Sequence, residues 1–295
     1  MTVQPKYPQW QLGFSTLGCP QYSLWQAAAL ARQFGISAME LRALGGELNL
    51  PQYFRSIVGG DVNSIPVLLH NYQVNIVALD SSWRILDSTA QGQEDIMELS
   101  RWAQILHVPY LRAFDGGEAG RLTVDDLHRL KSTLDWWREL RLKHGWEVDL
   151  LVETHWALTS IQNCRRLIQS DSHVGLLWDA HHTWRISNEP PISFWKSLGP
   201  QVKHIHIKDS VRDPAAPGGY RYVLPGTGDF PLLELLHVLR EDGFAGPLSL
   251  EWERYWFPEL PDLPTALEHL TTVIHRLGVL QLREPVPQEA RKIHA

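Results

Sequence analysis

The sequence predicts a single α/β domain, a closed (β/α)8 barrel over residues 1–282, followed by a polar tail at 283–295. Three observations predict it. β-prone runs and amphipathic helical runs alternate along the chain with no linker or composition break. Such alternation implies right-handed βαβ crossovers and parallel strands. Eight runs of each kind fit within 295 residues, which favours closure over an open sheet. Finally, ionisable residues gather at the carboxyl ends of the strand runs, the face on which such barrels carry their sites.

The first strand is 12–16, ended by Gly18-Cys19-Pro20. In 22–34, Leu24, Ala27, Ala28, Ala31 and Phe34 recur at three- and four-residue spacing, a helix that Gly35 stops. Strand two is 36–41, ending near Glu40 and Arg42. Residues 45–60 read as loop with a short helical turn near Tyr53, and 62–72 as a helix. Pro66 asks for a late start or a kink there. Strand three, 74–79, ends at Asp80-Ser81-Ser82-Trp83, and a helix covers 94–106. Strand four is 108–114, ending at Asp115-Gly116-Gly117. The long helix 123–144 carries Asp125 and Asp126 in its first turn, where the helix dipole favours them. Strand five is 147–153, then a helix at 157–169, strand six at 174–179 and a short helix at 191–198. Strand seven is 202–208, followed by a long loop, 210–229, with the turn Pro225-Gly226-Thr227-Gly228. A helix at 232–241, strand eight at 247–252 and a helix at 263–277 close the barrel.

Composition narrows the function classes. Apolar residues make up 44% of the chain, ordinary for a globular protein with a substantial core. The net charge of −6 and the lack of a long basic run argue against nucleic acid as a partner. Nothing approaches a membrane span, and residues 1–11 lack the apolar stretch of a signal peptide. Cys19 and Cys164 form neither a disulfide framework nor a thiolate zinc motif. The expectation is reduced thiols in a cytoplasmic protein. Thirteen tryptophans include Trp156, Trp178, Trp184, Trp252 and Trp256 beside the candidate site. They read first as core, then as a sugar platform or an interface between copies of the chain.

Four strand ends carry the chemistry. Glu153, Asp179, His206 and Glu251 make an O/O/N/O ligand set. It suits one Mn²⁺, Mg²⁺ or Co²⁺ ion, with zinc admitted, better than a structural zinc site. Three carboxylates together would otherwise repel one another. A metal there would let an α-hydroxycarbonyl chelate and would stabilise an enediolate. Glu153 and Glu251 are the candidate acid/base pair. His155 and His182 are placed to hydrogen-bond substrate hydroxyls, and Lys208 to neutralise an oxyanion or phosphate unless it pairs with Asp209. Arg221, in the long loop, is a candidate for an anionic group. The Gly226–Gly228 turn is no phosphate loop, since the Lys-Ser/Thr ending is missing.

In combination these stretches resemble the xylose isomerase-like TIM barrel superfamily, in particular its sugar phosphate isomerase/epimerase group. The resemblance runs from residue 12 to about 277. It rests on Met39-Glu40-Leu41-Arg42, Val152-Glu153-Thr154-His155, Trp178-Asp179-Ala180-His181-His182, His204-Ile205-His206-Ile207-Lys208-Asp209, Gly226-Thr227-Gly228-Asp229 and Leu250-Glu251-Trp252-Glu253. It implies that Glu153, Asp179, His206 and Glu251 are metal ligands and that Glu153 and Glu251 move the proton. It also implies that His182 contacts substrate near the reacting carbons. The expected function is a metal-dependent isomerase or epimerase acting on a small sugar or sugar derivative. A keto-sugar lyase or dehydratase, an endonuclease IV-like enzyme and a non-catalytic sugar-binding protein are the alternatives. The nuclease pattern departs at Asp80-Ser81-Ser82, Asp115-Gly116 and Phe230-Pro231, none of which supplies the histidine a trinuclear zinc site needs.

Overall fold

The computed structural model describes residues 10–57 and 64–277. The expected tail at 283–295 and the start of the expected helix at 62–63 lie outside the described residues.

β1 (Gln11–Ser15) leads into α1 (Leu24–Gln33). Ser23 starts α1 with a capping box, its hydroxyl accepting from Gln26 N and Gln26 Oε1 from Ser23 N. β2 (Ala38–Leu41), α2 (Leu50–Ile57) and α3 (Ser64–Tyr72) follow. Pro66 sits in the first turn of α3, the late start its ring requires. β3 (Asn75–Arg84), α4 (Ala90–Ile105), β4 (Tyr110–Phe114) and α5 (Val124–His144) come next. A second capping box, Thr123 with Asp126, opens α5, and Gly145 in a left-handed conformation ends it. The chain continues through β5 (Asp149–Glu153), α6 (Ile161–Ser170), β6 (Gly175–Asp179), α7 (Ala180–Ser187), α8 (Pro191–Leu198) and β7 (Val202–Ile207). β8 (Asp209–Arg212), β9 (Tyr220–Val223), α9 (Leu232–Glu241), β10 (Pro247–Leu250) and α10 (Leu263–Arg276) complete it.

Eight parallel strands close in the order β1-β10-β7-β6-β5-β4-β3-β2. The (β/α)8 barrel read from the sequence is the fold. Because strand side chains alternate, His204 and His206 face the barrel axis while Ile205 and Ile207 face the helices. The apolar layer between strands and helices is continuous, with Trp178 stacked on Phe194 at 4.8 Å.

Four local readings differ from the structure. The loop expected at 45–60 contains α2, whose Phe54 packs on Trp102 at 5.1 Å. The run is strongly amphipathic but only eight residues long, and Pro51 in its first turn, after Gly45-Gly46, reads as a loop. β3 runs five residues past its expected end at 79, through a register shift between Asp80 and Arg84. α7 was missed because its N-cap is a site residue, Asp179. The loop at 210–229 holds the antiparallel hairpin β8–β9, whose half-exposed residues lack clean alternation.

Candidate active site

The strand ends deliver the expected quartet. Glu153 and Asp179 are the last residues of β5 and β6, His206 is next to last in β7, and Glu251 directly follows β10. Register pairs Asp179 with His206, and His206 with Ser249, two residues before Glu251. One ligand atom from each of the four lies within 4.8 Å of the others, and all four residues are buried.

The atoms here fit a metal ion. Glu153 Oε1, Asp179 Oδ2 and His206 Nδ1 are buried and have no hydrogen-bond partner. Lys208 Nζ is 2.8 Å from Asp179 Oδ2, an ion pair without hydrogen-bond alignment. Buried polar atoms normally find partners, so three that converge without hydrogen bonds make a candidate site for a cation. His206 is preset for it. Its Nε2 donates to Glu40 Oε1 at 2.7 Å, which leaves Nδ1 facing Glu251 at 3.3 Å and Glu153 at 3.6 Å. A carboxylate behind a ligand histidine fixes its tautomer and its orientation. Burial alone would lower the His206 pKa, but Glu251 and Glu40 hold it well above the ordinary histidine value. Nδ1 is thus built to hold either a proton or a metal ion.

The surrounding charges do not balance. Six buried carboxylates (Glu40, Asp80, Glu153, Asp179, Glu251 and Glu253) face three buried permanent cations, Arg42, Arg112 and Lys208. Arg112 lies 3.3 Å from Asp80 and 3.1 Å from Glu153. Lys208 contacts Glu251 and is 2.8 Å from both Asp179 and Glu253. Asp179 is pushed up to about 7, mainly by burial, with Lys208 opposing and Glu251 and Glu153 reinforcing. Asp80 is raised well above the carboxylate range by burial and by Glu40. A dication would relieve this excess of negative charge.

A cavity of about 420 Å³ reaches the quartet through Glu251, which lines it, while Glu153, Asp179 and His206 lie behind that wall. His155 and His182 also line the cavity, with ring centroids 4.1 Å apart. Burial depresses both imidazoles, His155 to about 4. Both are therefore neutral, able to donate to one hydroxyl and accept from another. Trp156 and Trp256 stand in the wall, whereas Trp178 and Trp252 are fully buried in the core.

Two expected substrate contacts are placed elsewhere. Lys208 lies among carboxylates and is not part of the cavity wall. Nor does it pair with Asp209, whose carboxylate instead accepts from Ser210, Gly226, Gly228 and Phe230 N–H groups. A side chain at Gly228 would strike Asp209, so this glycine lets the turn close on the carboxylate. Arg221, on β9, is exposed and lies 3.4 Å from Asp213, outside the cavity. Glu40, Asp80, Arg112 and Glu253 were not assigned roles from sequence. Glu40 was visible as a strand-end carboxylate, but its partner His206 lies 166 residues away.

The comparisons with known proteins agree with this architecture. Residues 28–273 match the sequence profile of the xylose isomerase-like TIM barrel. A stretch of 66 residues is 35% identical to fructoselysine 3-epimerase of Escherichia coli O157:H7, and it spans only 22% of this chain and 22% of that protein. Among solved structures, the probable 3-DHS dehydratase AsbF of Bacillus anthracis, involved in petrobactin synthesis, superposes with a TM-score of 0.70. Identity is 18%, over 88% of this chain and 98% of AsbF. The IOLI protein with a binding zinc atom gives a TM-score of 0.68 at 18% identity, over 92% of this chain and 99% of that one. At these identities the structural likeness speaks for the fold. No helix among the described residues is long and apolar enough to cross a membrane.

Proposed function

This chain belongs to the xylose isomerase-like TIM barrel family, and on that premise we propose that it is a divalent-metal-dependent sugar isomerase or epimerase. The observation that carries the reading is the convergence of Glu153 Oε1, Asp179 Oδ2 and His206 Nδ1, all orphaned, beside Glu251 at the floor of the cavity. Glu153, Asp179, His206 and Glu251 would hold one ion. The hard donor set favours Mn²⁺, Mg²⁺ or Co²⁺, and the zinc atom in the IOLI structure keeps zinc among the candidates.

When bound, the ion supplies a Lewis acid that polarises the substrate carbonyl and stabilises the enediolate. The chain supplies the rest. Glu153 and Glu251 stand on β5 and after β10, so they reach the substrate from different parts of the mouth. One removes the proton beside the carbonyl, and the other returns a proton to the neighbouring carbon or the opposite face. Neutral His155 and His182 orient the hydroxyls. Trp256, half exposed in the wall, offers an apolar face to a sugar ring. Fructoselysine 3-epimerase, matched over one segment, carries out a reaction of this class by its name.

A keto-sugar lyase or dehydratase would share the first proton abstraction, and AsbF, named a probable dehydratase, has a barrel of this fold. The nuclease reading lacks its further imidazoles. β3 reaches Asp80, which faces Arg112, and β4 is followed by Asp115, which accepts from Gly116, Trp156 and Leu158 N–H groups.

The test is to incubate the Mn²⁺-loaded protein with a panel of ketoses in D₂O, with fructoselysine included. An isomer or epimer carrying deuterium at the reacting carbon supports the proposal. Glu153→Gln and Glu251→Gln should each slow exchange by about 10²–10⁴-fold. A dehydrated or cleaved product would move the reading to a lyase. Full exchange in both variants would sink the acid/base assignment.

A further inference from the structure

Of the three buried permanent cations around the site, Arg112 and Lys208 contact carboxylates and Arg42 does not. Arg42 follows β2 and is 4% exposed, held by Thr16 Oγ1 at its backbone N–H, 2.9 Å. Its Nη2 donates to Ser82 Oγ at 2.9 Å, and its Nη1 has no partner. Among the described residues no carboxylate lies within ion-pair distance of its guanidinium, whereas Arg112 has two and Lys208 three. Asp80, Glu153 and Glu251 act on this charge only from beyond contact distance, and a buried N–H left without a partner is costly and seldom kept without a use.

Arg42 is also in the wall of the substrate cavity, together with Ser82, Arg84 and Glu251. Arg84 stacks on Trp156, its guanidinium carbon 4.0 Å from the ring centroid, and keeps only a 3.5 Å contact with half-exposed Asp87. The cavity is therefore polarised. Its lining includes Glu251 and Glu253 beside the candidate metal site and three guanidinium groups, of which Arg112 is paired with Asp80 and Glu153 while Arg42 and Arg84, with the Ser82 hydroxyl, are not paired in this way. A ligand that satisfies both must carry a hydroxycarbonyl at one end and negative charge at the other.

We propose that Arg42, with Ser82 and Arg84, is a subsite for an anionic substituent of the substrate, a carboxylate or a phosphate. The substrate is then a sugar acid or a sugar phosphate and not a neutral sugar. The guanidinium fork suits either group, since both present paired oxygens. A cavity of about 420 Å³ is in the range of small-molecule sites and accommodates either ligand. This inference rests on reading the cavity as the substrate site, and it reassigns the anion contact from exposed Arg221 to buried Arg42.

The test is calorimetric titration of the Mn²⁺-loaded full chain with D-fructose, D-fructose 6-phosphate and D-fructuronate. At least one anionic probe should bind tenfold or more tighter than D-fructose. The preference for phosphate or carboxylate identifies which anion the subsite takes. Arg42→Gln should erase that advantage, with an unchanged thermal unfolding midpoint and retained Mn²⁺ binding showing that the variant is folded. Arg42→Lys should keep part of it. Arg84→Gln, at a partly exposed site, should lose two- to fivefold and serves if Arg42→Gln does not fold. Equal affinities, no binding by any probe, or an advantage retained without the arginines would overturn the subsite. Turnover of D-fructose with no preference for the acids would overturn it while leaving the isomerase reading intact.

Discussion

Asp115 and Asp209 are as deeply buried as Glu153 and Asp179, yet the two pairs live in opposite chemistry. Asp115 accepts from the N–H groups of Gly116, Trp156 and Leu158, at 2.7 to 3.0 Å. Asp209 accepts from Ser210, Gly226, Gly228 and Phe230, at 2.8 to 3.3 Å. Each pins a loop at the mouth by saturating its oxygens with backbone donors. Glu153 and Asp179 keep oxygens without a hydrogen bond, met only by the ion-pair contacts of Arg112 and Lys208. Saturation, not burial, separates a carboxylate that builds the mouth from one that waits for a ligand.

The contrast can be broken first at Asp115. Asp115→Ala leaves three buried N–H groups unpaired and should cost about 3 kcal/mol in chemical denaturation. Metal affinity per folded molecule should stay unchanged. A stability change below about 0.5 kcal/mol would erase the distinction between the two carboxylate classes. Next comes Glu40, which supports the ligand His206 from behind. Glu40→Gln should weaken Mn²⁺ binding by about 10–100-fold, read by titration calorimetry. Unchanged affinity would mean that the His206–Glu40 contact does not serve the metal. The smallest effect belongs to Arg221. Its side chain is exposed and its partner Asp213 partly so. Arg221→Ala should alter stability by no more than about 0.5 kcal/mol and leave turnover unaltered. A tenfold fall in turnover would bring the hairpin back into the substrate site.

The barrel was legible because eight β-prone runs each end in a change of composition. The quartet was legible for the same reason, since a carboxylate or imidazole closing an apolar run is a local signal. What surrounds the quartet was not. Glu40 meets His206, and Arg112 meets Asp80 and Glu153, only after closure brings distant strands together. The position of Lys208 at a strand end suggested a free cation, and only the fold shows three carboxylates around it. Arg221 was attractive as a loop arginine, but the hairpin turns it outward. Conversely, Arg42 was visible in the Glu40-Leu41-Arg42 run, while its unpartnered Nη1 is a property of the folded mouth alone.

The central claim is that Glu153, Asp179, His206 and Glu251 hold one metal ion. Elemental mass spectrometry of the purified protein, with Mn²⁺ titrated back, tests it most directly when His206→Ala is measured in parallel. The account predicts about one divalent ion per chain in the wild type and none retained in the variant. A wild-type chain that binds no ion even in excess Mn²⁺, or a variant that binds as well as wild type, would contradict it.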